Sequence, residues 1–131
     1  MLDVVDSLYV YIVVSSKSDI FDIQDLKQKT VACGLSGTAS NEFVHLLMKS
    51  LSWRKNTDLI VNEQVPDATL LHKLLSGDNP QVDAAIIVDT YPSQIVREII
   101  KDESNNWRII SVPNSPSNKW NNNVISYNML N

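Results

Sequence analysis

The sequence predicts an α/β fold in three layers, with a mainly parallel five-stranded sheet and helices on both of its faces. Five short apolar segments, rich in β-branched and aromatic residues, alternate along the chain with segments of helical periodicity. The apolar segments lack an alternating polar face, which is typical of strands buried on both sides. Strands and helices alternating in this order indicate right-handed crossovers and a largely parallel sheet.

The first half of the chain supplies two strands and two helices. The continuous apolar run "LYVYIVV" at 8–14 predicts a buried strand. In "IFDIQDLKQK" at 20–29, apolar residues recur every third position and predict a short helix. "TVAC" at 30–33 predicts a second short strand, and an apolar stripe at 41–51 predicts an amphipathic helix.

The second half continues the same alternation. Proline at a helix start and glycine just past a helix end mark the helix boundaries. The predicted elements are a strand at 58–61, a helix between Pro66 and Gly77, a strand at 82–88, a helix at 92–101 opened by Pro92, and a strand at 107–112. We therefore expect an α/β lobe over residues 1–113. The Asn- and Ser-rich segment 114–131 loses the pattern and is interpreted as a tail or a hinge return segment.

Composition narrows the class of protein. The 131 residues suffice for one domain, and 44% hydrophobic with 20% charged residues is ordinary globular composition. A formal net charge of -4 without a Lys/Arg cluster argues against nucleic-acid binding. The single cysteine, Cys33, excludes an intramolecular disulfide and a cysteine-based metal site. No apolar run approaches the roughly 20 residues of a membrane-spanning helix.

Three loops that follow strands carry most of the polar groups of interest. In a parallel sheet such loops meet at one edge, where ligands bind. We therefore expect three loops to converge on a single rim: Ser15-Ser16-Lys17-Ser18, Gly34-Leu35-Ser36-Gly37-Thr38-Ala39-Ser40, and Asp89-Thr90-Tyr91-Pro92.

The middle loop has two interpretations. Its glycines, Gly34 and Gly37, would let the backbone approach an anion, which the unpaired amides of the following helix favour. Alternatively the loop is a tight turn, with Thr38 or Ser40 as a helix N-cap. Glu42 in the first helical turn weighs against an open anion site, because its carboxylate can interact with the same helix dipole.

Other chemically capable residues do not form a catalytic or metal-binding set. His45 and His72 lie on separate predicted helices, without metal-ligand spacing. Cys33 fits a buried, inert thiol better than a nucleophile, and Asp89 could be an acid, a ligand or a turn-fixing residue. Neither a P-loop nor a GxGxxG fingerprint is present. We expect no enzymatic activity, no cofactor and no metal.

Several segments together resemble the type 2 periplasmic solute-binding proteins. "LYVYIVVSSKSDIFDIQDLKQKTVACGLSGT" is similar to the stretch in which a hinge strand precedes an "I-x-x-x-x-D-L-K-x-K-x-V" element and a Gly/Ser/Thr loop. "LLHKLLSGDNPQVDAAIIVDTYPSQIVREI" resembles the superfamily's "aL-x-x-G-x-x-D-A" segment. "SGT" at 36–38, Pro92 and "WRIISVP" are most similar to the TAXI branch, the solute receptors of TRAP transporters. The resemblance covers about residues 8–113.

This resemblance implies one lobe of a receptor that closes on a small carboxylate, such as glutamate or a dicarboxylate, and delivers it to membrane transporter subunits. By position, a helix N-terminus and two neighbouring loops would bind the ligand. The implied ligand-binding residues are Ser15, Ser16, Ser36, Gly37, Thr38, Ala39, Ser40, Asp89, Thr90 and Tyr91.

The chain also departs from the family's pattern. It has residues for one lobe of two, Gln28 replaces the glycine of "DLKGK", and no signal peptide is seen. A periplasmic or extracytoplasmic location is expected for an excised receptor lobe, and a cytoplasmic one for a chain complete as given. Two alternatives stay open: a stand-alone sensing or interaction module, in which a homodimer supplies the missing lobe, and an enzyme resembling the pyrimidine synthases, which would need a reactive cysteine or lysine.

Overall fold

The computed structural model describes residues 8–64, 67–101 and 106–113. The order of elements matches the predicted alternation. The strands are β1 (Tyr9–Ser15), β2 (Lys29–Cys33), β3 (Leu59–Glu63), β4 (Ala84–Asp89) and β5 (Trp107–Pro113), and the helices are α1 (Ala39–Leu51), α2 (Ala68–Leu75) and α3 (Gln94–Ile100), with one 3₁₀ helix at Ile23–Leu26. The predicted tail at 114–131 and the helix start at Pro66 lie outside the described residues.

All five strands form one sheet in the order β3-β2-β4-β1-β5. β2 pairs in parallel with β3 and β4, whereas β1 pairs antiparallel with both β4 and β5. Four strands therefore run in one direction, as the sequence predicts, and β1 runs against them. The order and the directions give the sheet two distinct edges. We call the edge where β2, β3 and β4 end the carboxyl edge, and the opposite edge the amino edge.

The direction of β1 corrects one expectation. Tyr9 is opposite Asp89 and Ser15 is opposite Trp107, so β1 begins at the carboxyl edge and ends at the amino edge. The expected convergence of three loops on one rim is therefore wrong for the loop that contains Ser15 and Ser16. The reason is that an apolar run of buried residues predicts a strand without revealing its direction.

Helices cover both faces of the sheet, as predicted. The alternation of side chains along β1 sends Val10, Ile12 and Val14 into the core beneath α1, and Tyr11 and Val13 into the core beneath α2 and α3. Every residue from Val10 to Val14 is fully buried. This explains why β1 has no polar face in the sequence.

The predicted helix at 20–29 is one turn of 3₁₀ helix. Asp22 and Asp25 form a capping box at its start, and Gln28 follows its end with a φ of 67°. Glycine adopts a positive φ more readily than any other residue. Gln28 therefore keeps a backbone conformation typical of the glycine in "DLKGK", although it is not a glycine. The fourth predicted helix begins at Gln94 rather than at Pro92, because the Ser93 hydroxyl accepts a hydrogen bond from the amide of Val96. Within the described residues, no helix has the length and apolarity to cross a membrane.

Candidate functional site: a helix N-terminus at the carboxyl edge

Two of the three predicted loops lie side by side at the carboxyl edge. The loop from Gly34 to Thr38 follows β2, and the loop from Thr90 to Ser93 follows β4, which is the neighbouring strand. Ser40 joins them, since its hydroxyl oxygen accepts a hydrogen bond of 2.9 Å from the amide of Val88. The structure thus brings the α1 N-terminus close to the end of β4.

Thr38 is the N-cap of α1, which confirms one of the two capping residues that the sequence offers. Its hydroxyl oxygen accepts a hydrogen bond of 3.3 Å from the amide of Asn41 and donates one of 2.8 Å to the carbonyl of Leu35. The proton of the Thr38 hydroxyl and one of its two acceptor lone pairs are therefore occupied within the loop. Its main role is to hold the turn and begin the helix.

The two glycines serve different purposes. Gly37 has a φ of 96°, and a side chain there would meet open space, so backbone conformation selects glycine. Gly34 has no positive φ, but a Cβ at this position would collide with the side chain of Thr38. Close approach to the chain's own cap residue, rather than to a ligand, explains Gly34.

The N-terminus of α1 is open. Within the described part of the chain, neither the amides of Ala39 and Ser40 nor the hydroxyl of Ser36 has a hydrogen-bond partner. Ser36, Gly37 and Ala39 are exposed. The exposed Glu42 carboxylate makes no hydrogen bond to these amides. The first amides of a helix carry partial positive charge, so this surface can accept an anion.

Asp89, at the end of β4, is fully engaged by its own turn. One carboxylate oxygen accepts from the amide of Thr90 at 2.8 Å, and the other accepts from the hydroxyl of Ser93 at 2.9 Å. The carbonyl of Thr90 accepts a hydrogen bond from the Tyr11 hydroxyl. The half-exposed Tyr91 ring packs edge-on against Tyr9, with centroids 6.4 Å apart. This turn therefore offers a ligand an aromatic side chain more readily than a free carboxylate.

Asn41 is a buried polar residue that the sequence interpretation missed. It is 4% exposed, and its amide nitrogen donates 2.9 Å hydrogen bonds to the carbonyl of Gly34 and to the carboxylate of Glu63. These bonds attach α1 to the end of β2 and the end of β3. The signal in the sequence was that Asn41, a polar residue, lies on the otherwise apolar stripe of the predicted helix.

Cys33 ends β2 directly beneath this loop. Burial, followed by the nearby negative charge of Glu63, raises the pKa of the Cys33 thiol to about 11. The thiol therefore stays protonated at neutral pH and is a poor nucleophile. This is the opposite of what a catalytic cysteine requires.

The remaining candidates do not join this site. Ser15 and Ser16 lie at the amino edge, on the far side of the lobe. The Nδ1 atom of His45 contacts the carbonyl of Asn41, and that of His72 contacts the carbonyl of Ile99. In the described ranges, no group of three or more His, Cys, Asp or Glu residues could hold a metal ion.

The comparisons with known proteins agree with this architecture. The model of the NMT1-like family matches residues 4–130. One similar solved structure comes from work on the molecular and structural basis of glutathione import in Gram-positive bacteria via GshT and the cystine ABC importer TcyBC of Streptococcus mutans. This chain superposes on it with a TM-score of 0.60 at 17% identity. The superposition covers 92% of this chain and 45% of that chain, so this chain spans less than half of that structure's length. No curated protein matches significantly in sequence.

At 17% identity the structural likeness bears on the fold, and it agrees with an α/β lobe of the periplasmic-binding-protein type. The family assignment rests on the match over nearly the whole chain. The chain belongs to the NMT1-like family, and its lobe has a periplasmic-binding-protein-like α/β fold.

Proposed function

We propose that this chain is a solute-binding lobe that takes a small carboxylate at the N-terminus of α1. The observation that carries the proposal is the pair of amides at Ala39 and Ser40 and the exposed hydroxyl of Ser36, all without a hydrogen-bond partner among the described residues. Backbone amides at a helix start are suited to carboxylate oxygens, because they donate hydrogen bonds along the helix dipole. Tyr91, from the neighbouring turn, would pack against the apolar part of the solute.

The roles within the loop differ from residue to residue. Ser36, Ala39 and Ser40 supply donors, since the Ser40 hydroxyl accepts from Val88 and keeps its own proton to donate. Gly37 and Thr38 hold the loop conformation. Asp89 and Thr90 position the adjacent turn through their internal hydrogen bonds.

This half-site should bind an anion weakly on its own, because it carries little positive charge. Neither loop contains a lysine or an arginine, so the positive potential comes from the dipole of α1, equivalent to about half a charge. A pocket usually buries most of its ligand, and an open edge leaves one side of the solute in water. A second lobe, or a second chain, would supply the cation and the cover.

The resemblance to the TAXI branch suggests the finer assignment. Under this finer assignment, the lobe belongs to an extracytoplasmic receptor that passes glutamate or a dicarboxylate to TRAP transporter subunits. Catalysis is not part of this proposal. Of the two groups that a pyrimidine-synthase-like enzyme could use, a reactive cysteine or a lysine, the Cys33 thiol has its pKa raised to about 11.

The test is calorimetric titration of the protein with glutamate and 2-oxoglutarate. We expect Ser36→Ala combined with Thr38→Ala to weaken carboxylate binding by about tenfold or more. The first substitution removes a donor to the charged ligand, and such hydrogen bonds contribute roughly 1.5–3 kcal/mol. The second removes the N-cap that orients the amides of Ala39 and Ser40. Thr38→Ser is the matched control, because it retains the N-cap and should bind as the parent does. Equal affinity of the double variant and the parent would refute the site.

The alternative function is a stand-alone sensing module that works as a homodimer. Three large apolar side chains, Leu8, Leu35 and Tyr91, are 40%, 47% and 49% exposed near the carboxyl edge, and a covering partner would bury them. Sedimentation equilibrium distinguishes the two. A concentration-dependent dimer that Leu35→Ser disrupts favours the module, whereas a strict monomer favours the lobe of a larger receptor.

A further inference from the structure

A second cavity lies at the amino edge, far from the α1 N-terminus. It has a volume of about 250 Å³ and is formed by the loop after β1, the end of α2 and the start of β5. This volume is below the roughly 300–1,000 Å³ of sites for drug-sized ligands, so it suits a molecule the size of an amino acid. Its lining includes Ser16, Lys17, His72, Asp78 and Trp107.

The indole of Trp107 gives this cavity an unmet hydrogen-bonding requirement. Within the described residues, its Nε1 atom is the only buried side-chain nitrogen or oxygen without a hydrogen-bond partner. A buried donor left without an acceptor is unfavourable, and buried Trp N–H groups usually find a partner. An acceptor brought by a ligand would remove this penalty.

His72 holds the indole from one side. Its ring lies 5.4 Å from the Trp107 ring, centroid to centroid, with a tilt of 50°. Its Nδ1 atom lies 2.9 Å from the carbonyl of Ile99, to which it donates a proton, because a carbonyl oxygen only accepts. In the neutral ring, Nε2 is therefore the acceptor. The two rings form an aromatic wall with a donor and an acceptor.

The two charged residues that line the cavity, Lys17 and Asp78, come from different elements. Lys17, from the loop after β1, forms no ion pair with any described residue. Asp78 is likewise unpaired in the described part of the chain and follows the C-terminus of α2, the negative end of the helix dipole. A cation, Lys17, and an anion, Asp78, thus both line the cavity without pairing with each other, which is complementary to a molecule that carries both charges.

We propose that this cavity binds a small zwitterion, an α-amino acid, at a site separate from the carboxylate site on the carboxyl edge. The ligand carboxylate accepts from the Trp107 indole and pairs with Lys17. The ligand ammonium group lies toward Asp78 and the end of α2. Ser15 and Ser16, which border this cavity, thereby belong to a ligand site other than the one at the α1 N-terminus.

The experiment follows the indole N–H resonance of Trp107 by ¹H–¹⁵N NMR, assigned with Trp107→Phe, during titration with glycine. Acetate and methylammonium are the two half-molecule controls. We expect saturable glycine binding about tenfold or more tighter than either half-molecule, because two charge-complementary contacts act together. Shifts with acetate that equal those with glycine would contradict a zwitterion site, and no saturable shift with glycine in the millimolar range would refute the site altogether.

Variants separate this site from the other one. Lys17→Ala and Asp78→Ala should each weaken glycine binding roughly two- to fivefold, as expected for exposed ion pairs. Trp107→Phe retains an aromatic ring but removes the donor. It should weaken glycine binding, measured by calorimetry, about tenfold or more. Lys49→Ala, at an exposed position of α1, is the control and should not change the affinity for glycine. Ser36→Ala with Thr38→Ala should also leave glycine affinity at Trp107 unchanged, and a loss in that variant would contradict two independent sites.

Discussion

Cys33 shows at the scale of a single residue how the surroundings set chemistry. The thiol is 3% exposed, and the Asn41 amide nitrogen lies 3.8 Å from its sulfur. Burial and the charge of Glu63 raise its pKa from the ordinary value of 9.0 to about 11. The interpretation of Cys33 from the sequence as a buried, inert thiol agrees with this environment. Its position at a strand end did not by itself distinguish an inert thiol from a nucleophile.

The raised pKa predicts a pH dependence of stability. A group whose pKa is raised by folding stabilises the fold while protonated, so its contribution is complete below about pH 9 and is lost as the pH rises toward 11. We expect urea denaturation to show a steeper loss of unfolding free energy in this range for the parent than for Cys33→Ala. Every other ionisable side chain is present in both proteins, so the difference between the two curves isolates the thiol.

Thiol labelling provides an independent check on Cys33. With 5,5′-dithiobis(2-nitrobenzoate) at neutral pH, native protein should react far more slowly than protein in urea, because the thiolate is scarce and the sulfur is buried. Equal rates in the two conditions would contradict the structural account and reopen the interpretation as an enzyme.

Helix α1 shows how an element is positioned by contacts that its own sequence barely indicates. Its apolar stripe and its N-cap residue were predictable from spacing and residue type. Its attachment through Asn41 was not, because the partners, Gly34 and Glu63, lie on two different strand ends. Its end at Leu51 is local, with Ser52 in the left-handed conformation and the amide of Trp53 bonded to the carbonyl of Met48.

Asn41→Ala should therefore destabilise the whole lobe. The substitution removes two hydrogen bonds and leaves the buried Gly34 carbonyl without this partner, at a cost of about 1–3 kcal/mol in the free energy of unfolding. Ser50→Ala, at an exposed position of the same helix, is the control and should change it by less than about 0.5 kcal/mol. Urea denaturation midpoints measure both, and an Asn41→Ala midpoint equal to that of Ser50→Ala would show that the attachment is unimportant.

At the scale of the whole molecule, β1 organises the lobe. Among the strands of the described ranges, it is the one that has antiparallel neighbours on both sides, and its residues contribute to both hydrophobic cores. Its reversed direction places Tyr9 at the carboxyl edge and Ser15 at the amino edge. The lobe therefore has two chemically distinct ends, one with the open N-terminus of α1 and one with the Trp107 cavity.

The central position of β1 predicts a gradient of hydrogen exchange. Amides from Val10 to Val13 should exchange only through global unfolding, because both strand edges are paired there and the side chains are fully buried. Amides of β3, an edge strand with Ile60 43% exposed, should exchange faster through local opening. Exchange followed by NMR in increasing urea tests this, and β1 amides that exchange as fast as those of β3 would contradict the strand order.

The sequence by itself determined the elements, their order and the three-layer α/β class, because periodicity and capping are local properties of the chain. It also determined that Thr38 or Ser40 begins α1. Only the tertiary structure decided that β1 runs against its neighbours, which moved Ser15 and Ser16 to the opposite end. The same holds for Asn41, for the bonds that occupy Asp89, and for the unpartnered indole of Trp107. Each depends on residues far apart in sequence, and such contacts follow from strand pairing and packing rather than from any local pattern.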